Sequence, residues 1–411
     1  MQKLEIMAPA GNFEALIAAI QGGADSVYFG VGNLNMRSHS ANNFSASDLE
    51  KIVQICNEHG VRSYLTLNIV LYDADLEPMR QTLAKAKKAG VTAVIASDMA
   101  AIAEARSIGM EVHISTQLNI SNRESLRFYA QFADVAVLAR ELTLPQVKEI
   151  SSFIERENIT GPSGRKVEIE MFCHGALCMA ISGKCYLSLH QYNASANRGA
   201  CFQLCRRGYE VTDLETGTKL EIDNEYIMSP KDLCTVEFID KMADAGVTIF
   251  KIEGRARSAE YVKKVTSVYR RAADALLQGQ FTSGLSASLK KELSQVFNRG
   301  FWDGYYQGAR LGEWSSIYGN KSTKKKLYVG KVTNYFSNIG VAELLIESSS
   351  LAVGNNILII GPSTGVIEMK VPEIRVELKP VERAEKGLYC SIPVKEKLRR
   401  SDKVYLFEDE S

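Results

Sequence analysis

Eight short apolar runs punctuate the first 255 residues: LEIMAPAG, SVYFGVG, RSYLTLN, AVIASD, EVHISTQ, VAVLARE, VEIEMFCHG and TIFKIEGR. Between them lie patterns such as NFEALIAAIQGGA, SASDLEKIVQICNEHG and EPMRQTLAKAKKAG, which space apolar residues as a helix does and often close on Gly, as a helix C-terminus does. Strand and helix alternating at this interval imply parallel βαβ units. Eight units, rather than five or six, predict an α/β fold of the TIM-like (β/α)8 barrel type instead of an open doubly wound sheet.

A chain of 411 residues exceeds one ordinary domain, and its tail reads differently from its front. LYVGKVTNYF, GVAELLIE, NNILIIGPSTG, VIEMKVPEI, GLYCSIPV and SDKVYLF are short alternating strands with turn residues between them. They predict a small C-terminal β-barrel over 327–411, joined through a lysine-rich linker at 319–326 to a barrel unit spanning 1–318. The strand–helix rhythm also breaks once, between the seventh and eighth strands, over about 70 residues from 174 to 248. Long insertions after a barrel strand commonly carry function.

Barrel chemistry sits where strands end and the following loops begin. The polar residues there are Asn68, Asp98, Ser115, Gln117, Arg140, Glu141, Glu170, His174, Lys251, Glu253 and Arg255. Any one of them could equally cap a helix or tie down a loop. Together they outline a pocket.

Lys plus Arg total 49 against 48 Asp plus Glu, so no global field selects a polyanion or a membrane, and any such site must be local. The first residues lack a basic stretch followed by an apolar core, and no run of about 18 apolar residues occurs. The expected location is cytoplasmic, a reducing compartment in which clustered cysteines are metal ligands or reactive thiols more often than disulfides. Cys178, Cys185, Cys201 and Cys205 fall in the insertion, with six, fifteen and three residues between successive members. Four soft ligands from one loop can hold a [4Fe–4S] cluster; the spacing lacks the paired knuckles of structural zinc, although a four-cysteine zinc site remains the alternative. Cys56, Cys173, Cys234 and Cys390 read as core residues.

The segment EMFCHGALCMAISGKCYLS resembles the signature of the collagenase-like peptidase family U32, and HISTQLNISN, YIMSPKDL and KIEGRARSAEYVKKVTSVYR extend the likeness along most of the chain. Within that family the chain resembles the prephenate-dependent tRNA uridine hydroxylases, which convert the wobble uridine to 5-hydroxyuridine; relatives act on an rRNA cytidine or on quinone precursors. The resemblance implies that Cys178, Cys185, Cys201 and Cys205 ligate a [4Fe–4S] cluster, that prephenate is a required ligand or co-substrate, and that the anticodon loop of tRNA is the partner. It departs from the longer tRNA-enzyme form between Cys205 and YIMSPKDL, where this chain has only about 20 residues.

On that reading Arg140, Lys251 and Arg255 are the candidates for the two carboxylates of prephenate, because Arg and Lys are the usual partners of such groups. Asn68, Gln117 and Glu253 could orient the base edge or a water, and His174 could move a proton or stand behind the cluster. Arg198, Arg206, Arg207, Lys263, Lys264, Arg270, Arg271, Lys321, Lys324, Lys325 and Lys326 offer a phosphate-tracking surface, against the alternative of ordinary solvated faces. Tyr305 and Tyr306 could stack bases, although core packing is the simpler expectation. A peptidase is the competing class, yet neither HExxH nor GxSxG occurs.

Overall fold

In the computed structural model, residues 4–38, 43–220, 228–308, 312–316 and 319–410 are described. The eight apolar runs are β1 (Glu5–Ala10), β2 (Ser26–Gly30), β3 (Arg62–Leu67), β4 (Ala93–Ala96), β5 (Glu111–Ile114), β6 (Val135–Val137), β7 (Glu168–Ala176) and β8 (Val247–Ile252). Each pairs in parallel with the next. β8 pairs with both β7 and β1, in registers that include Phe250↔Met171 and Ile249↔Glu5, so the sheet closes on itself. The strands read as near-continuous apolar runs because both faces are covered. Met7, Tyr28, Tyr64, Ile95, Val135 and Ile249 pack together in one cluster, while alternate residues such as Ile6, Val27, Phe29 and Leu65 belong to the larger core shared with the helices.

Several helices begin within a few residues of a strand's end, and their first turns explain some of the polar residues found there. Asn12 caps α1 (Phe13–Gln21), accepting from the Ala15 amide at 2.8 Å, and Thr143 with Gln146 forms a capping box on the helix Leu144–Glu157. Asp98, placed above among the pocket residues, caps a helix at Met99–Ser107 through the Ala100 amide and also accepts from Leu71 N, so it serves the scaffold.

Despite the insertion, β7 and β8 lie side by side. Among its described residues the inserted segment carries a six-residue helix (Leu187–Tyr192), single turns at Ala196–Arg198 and Leu204–Arg206, a short strand, Asp232–Cys234, antiparallel to the end of β7, and a second six-residue helix (Ile239–Asp244).

The C-terminal strands form an antiparallel eight-stranded sheet, seven of whose strands meet in one core through Val329, Leu344, Ile357, Ile367, Ile374, Ile392 and Val404. Its first strand, Lys324–Phe336, begins inside the segment expected to link the two units, with Lys324–Lys326 in register opposite Asp409–Phe407. The sheet docks on the barrel. Gln21 bonds the Thr364 carbonyl and the Val366 amide, Lys263 donates to the Val366 carbonyl, and Lys326 and Lys264 pair with Glu260 and Glu368.

Candidate active site at the barrel mouth

One cavity lies over the carboxyl ends of the strands, and it brings together most of the residues singled out in the sequence. Asn68 follows β3, Ser115 and Gln117 follow β5, Arg140 follows β6, and Lys251, Glu253 and Arg255 belong to β8 and its loop. Cys178, Cys185, Cys201 and Cys205 line the same cavity from above. The amides are held in place: the Met36 amide donates to Asn68 Oδ1 at 3.2 Å, Asn68 Nδ2 faces Gln117 Oε1 at 3.5 Å, and the Ser115 hydroxyl donates to Gln117.

The charged residues divide into satisfied and unsatisfied ones. Lys251 Nζ lies 2.5 Å from Glu170 Oε1, and the other oxygen of Glu170 lies 3.2 Å from His113 Nδ1, all three buried. Burial alone would raise the Glu170 carboxyl; Lys251 and His113 overcome it and hold the carboxyl below the usual carboxylate range. Burial opposes a charge on His113, but Glu111 and Glu170 reverse that and raise its pKa. Lys251 is thus a neutralised cation, seated 4.8 Å above the Tyr28 ring. Arg37 pairs with Glu253 at 2.7 Å and, against burial, keeps that carboxyl ionised at neutral pH.

Arg255 differs. It is buried, donates to Asn35 Oδ1 at 2.9 Å and Thr66 Oγ1 at 3.0 Å, and bonds no carboxylate among the described residues. Burial, reinforced by Arg37, pushes it down to about 10, which still leaves it charged at neutral pH. Arg140 is half-buried over the Phe172 ring at 5.1 Å and likewise bonds no carboxylate among the described residues. Two guanidinium forks therefore stand ready for an oxyanion.

The cysteine loop is fastened to the mouth at few points. Arg198 pairs with Asp75 and donates to the Val70 carbonyl at 3.0 Å; the Val70 amide donates to the Asn197 carbonyl at 3.2 Å; Arg206 grips the Leu177 and Pro230 carbonyls, both at 2.6 Å. Two glycines let the loop come close. Gly199 sits at φ +83° where a Cβ would lie 2.5 Å from the Asn35 carbonyl oxygen, and Gly183 at φ +80° where one would lie 2.9 Å from Asn197 Oδ1 and 3.1 Å from Gln117. Cys178 is exposed and its three partners are half-buried, whereas Cys56, Cys173, Cys234 and Cys390 are buried, as expected of core residues. Burial raises the Cys185 thiol and pushes Cys205 up to about 11, so any metal these thiols take must displace protons. In number and softness the four thiols fit a thiolate-held group. Among the described residues no group of three or more Cys, His, Asp or Glu is placed to hold a single ion.

Several expectations change. His174 does not line the cavity. The β7–β8 register slips between Lys251↔Phe172 and Ile252↔His174, which breaks the alternation at Cys173. His174 is buried among Tyr261, Tyr269 and Phe301 at centroid distances of 5.5–6.0 Å, and burial, helped by Arg257, drives it down to about 3. It is a neutral packing residue, not a proton carrier at neutral pH. Most of the cations offered for phosphate tracking are otherwise engaged: Arg198 and Arg206 hold the loop, Arg270 pairs with Asp25 and Asp274, Arg271 with Glu292, and Lys263, Lys264 and Lys326 hold the C-terminal sheet. Arg207 reaches Tyr192 Oη at 3.2 Å, Lys321 reaches Ser316 at 3.2 Å, and Lys324 faces Asp409. Tyr306 is core, donating to the Phe172 carbonyl at 2.8 Å, and Tyr305 packs on Trp302. Sequence reasoning missed Arg37, whose partner Glu253 lies 216 residues away.

Comparison with known proteins places this architecture. The model of peptidase family U32 matches residues 11–316. A protein named collagenase from Porphyromonas gingivalis is 60% identical over 98% of both chains. The tRNA hydroxylation protein P1 of Bacillus subtilis is 34% identical over 81% of this chain and 78% of its own. The 23S rRNA 5-hydroxycytidine C2501 synthase of Escherichia coli is 35% identical over 76% of this chain and 46% of its own. With a matched region running from the first barrel helix to beyond β8 and its helices, and with the loop signature lying over the mouth, the chain belongs to peptidase family U32.

Proposed function

We propose that this protein is an RNA-modifying hydroxylase, and specifically that it performs oxygen-independent, prephenate-dependent 5-hydroxylation of the tRNA wobble uridine with a [4Fe–4S] centre on Cys178, Cys185, Cys201 and Cys205. The observation that carries the reading is that four thiols, three side-chain amides and two guanidinia without carboxylate partners line one cavity. Relatives named for hydroxylation of tRNA and rRNA support it. Four thiols on one cavity supply the four soft ligands that a cluster needs, one for each iron. A bound cluster would supply one-electron chemistry.

The chain's own residues supply binding and orientation. Arg255 offers its fork to a carboxylate of prephenate, and Lys251, paired with Glu170, fixes the wall behind it. Asn68 and Gln117 present donor and acceptor atoms to an unstacked pyrimidine edge, as in recognition of single-stranded bases. The Arg37–Glu253 pair bridges the early loop to the end of β8 and keeps the cavity wall in place. Turnover of anaerobically purified protein with tRNA and prephenate, followed by nucleoside mass spectrometry, tests the proposal: 5-hydroxyuridine is expected, and 5-hydroxycytidine in rRNA instead would move the substrate.

The 60% identical collagenase favours a second reading, a peptidase. Its most tempting nucleophile fails physically, since Cys173 is buried with its thiol raised well above the ordinary value, and His174 beside it is held neutral by burial. Gelatin cleavage that survives Cys178→Ala would favour this second reading.

A further inference from the structure

A second chamber opens on the other side of the cysteine loop. It shares Arg37, Arg140, Glu253 and three of the loop cysteines with the mouth cavity, and adds Arg206, Arg257 and Arg299 to its wall. Glu253 is the one carboxylate lining it among the described residues, and it is already bonded to Arg37. Arg299 reaches Asp232 at 3.3 Å, and Arg206 is committed to the carbonyls that hold the loop. Arg140 and Arg257 bond no carboxylate among the described residues. Arg257 lies 3.6 Å over the Phe297 ring and 5.7 Å from that of Tyr261, which fixes its plane without neutralising its charge.

Like charges gathered in a partly desolvated pocket repel one another, and an anion entering it removes that cost. The guanidinium fork matches both carboxylate and phosphate. The setting favours phosphate: Ala256 and Cys178 at the chamber are exposed, so a chain can continue outward, and the amide-lined cavity stands against the same thiols. A nucleotide has this layout, a base with polar edges joined to a phosphate through one sugar. Resting on the reading of RNA as substrate, we infer that the arginine chamber binds a phosphodiester of the strand whose base occupies the mouth cavity, with Arg257 and Arg140 as its contacts.

The test is fluorescence anisotropy across a salt series with the anaerobically purified protein and a labelled single-stranded RNA of about ten nucleotides containing one uridine. Arg257→Gln and Arg140→Gln should each bind about tenfold more weakly and lower the slope of log affinity against log salt by about one. Arg127→Gln, on an exposed helix face and paired with Glu124, should match the wild type. Arg257→Lys should recover the slope, because charge is retained; a slope that stays low would mean the Gln variant acted through packing, and would overturn the inference. Unchanged affinity and slope in both Gln variants would also overturn it, while wild-type RNA binding left the hydroxylase reading intact. If RNA fails to bind the wild type and malonate instead binds in an Arg257-dependent way, the chamber serves a small acid, and both the inference and the RNA reading fall.

Discussion

The two walls of the cavity are built by different means. The lower wall is strand-borne: Lys251 on β8 lines it, backed by Glu170 on β7 and His113 on β5, all buried and mutually neutralised, so their geometry belongs to the global fold. The upper wall is a loop with one six-residue helix and single turns, fastened by an ion pair, a few carbonyl contacts and two glycines. Its thiols are partly exposed where those of the core are not. The thiols therefore lie on the part with fewer fastenings, and the strand-borne part is the more firmly held. A group bound by all four thiols would cross-link that loop and make the upper wall as fixed as the lower.

The sharpest way to break the contrast is chemical. Replacing Cys178, Cys185, Cys201 and Cys205 by Ala should lower 5-hydroxyuridine formation by at least about a thousandfold, the scale of losing an essential catalytic group. Cys390→Ala, in the C-terminal core, should cost about 1 kcal/mol of stability and leave turnover in place. The next largest effect falls on the lower wall. Glu170→Ala leaves Lys251 and His113 buried without their shared partner and should destabilise the fold by about 3–5 kcal/mol, read by urea denaturation. A cost under about 1 kcal/mol would mean that the strand-borne wall does not depend on that charge network.

Gly199→Ala should act on the upper wall alone. Positive φ and contact with the Asn35 carbonyl predict a local penalty of about 1–3 kcal/mol, seen as faster proteolysis between Cys178 and Cys205 with little change in global unfolding. A matching drop in global stability would show that the walls are one cooperative unit. The last effect is a pH limb. His174 falls from an ordinary 6.5 to about 3 on folding, so the unfolded chain binds a proton that the native one refuses, and stability declines as pH drops from about 6.5 towards 3. The depressed Glu170 and Glu253 add to the decline below the ordinary carboxylate value, as pH falls through their folded pKa values. His174→Gln should flatten the upper part of that limb in denaturation curves taken across this range.

The barrel was legible because burial on both faces forces each strand into an apolar run, and eight runs leave few topologies. The loop cysteines were legible because their polar, Gly-containing surroundings distinguish them from Cys56 or Cys390. Roles set by tertiary partners were not. Arg198 and Arg206 look like free cations until Asp75 and the Leu177 and Pro230 carbonyls come beside them. His174 seemed aimed at the mouth because strand alternation was assumed, and a register slip at Cys173 turns it away. Arg37 lies in a stretch with no periodicity, and only the closed barrel brings it to Glu253.

On the proposed function, the upper wall would hold an iron–sulfur cluster. Anaerobic purification with iron and acid-labile sulfide analysis, beside the four-cysteine Ala variant, tests it most directly. About four irons and four sulfides per chain, absent from the variant, is the predicted result. Stoichiometric zinc, or iron that persists in the variant, would contradict it.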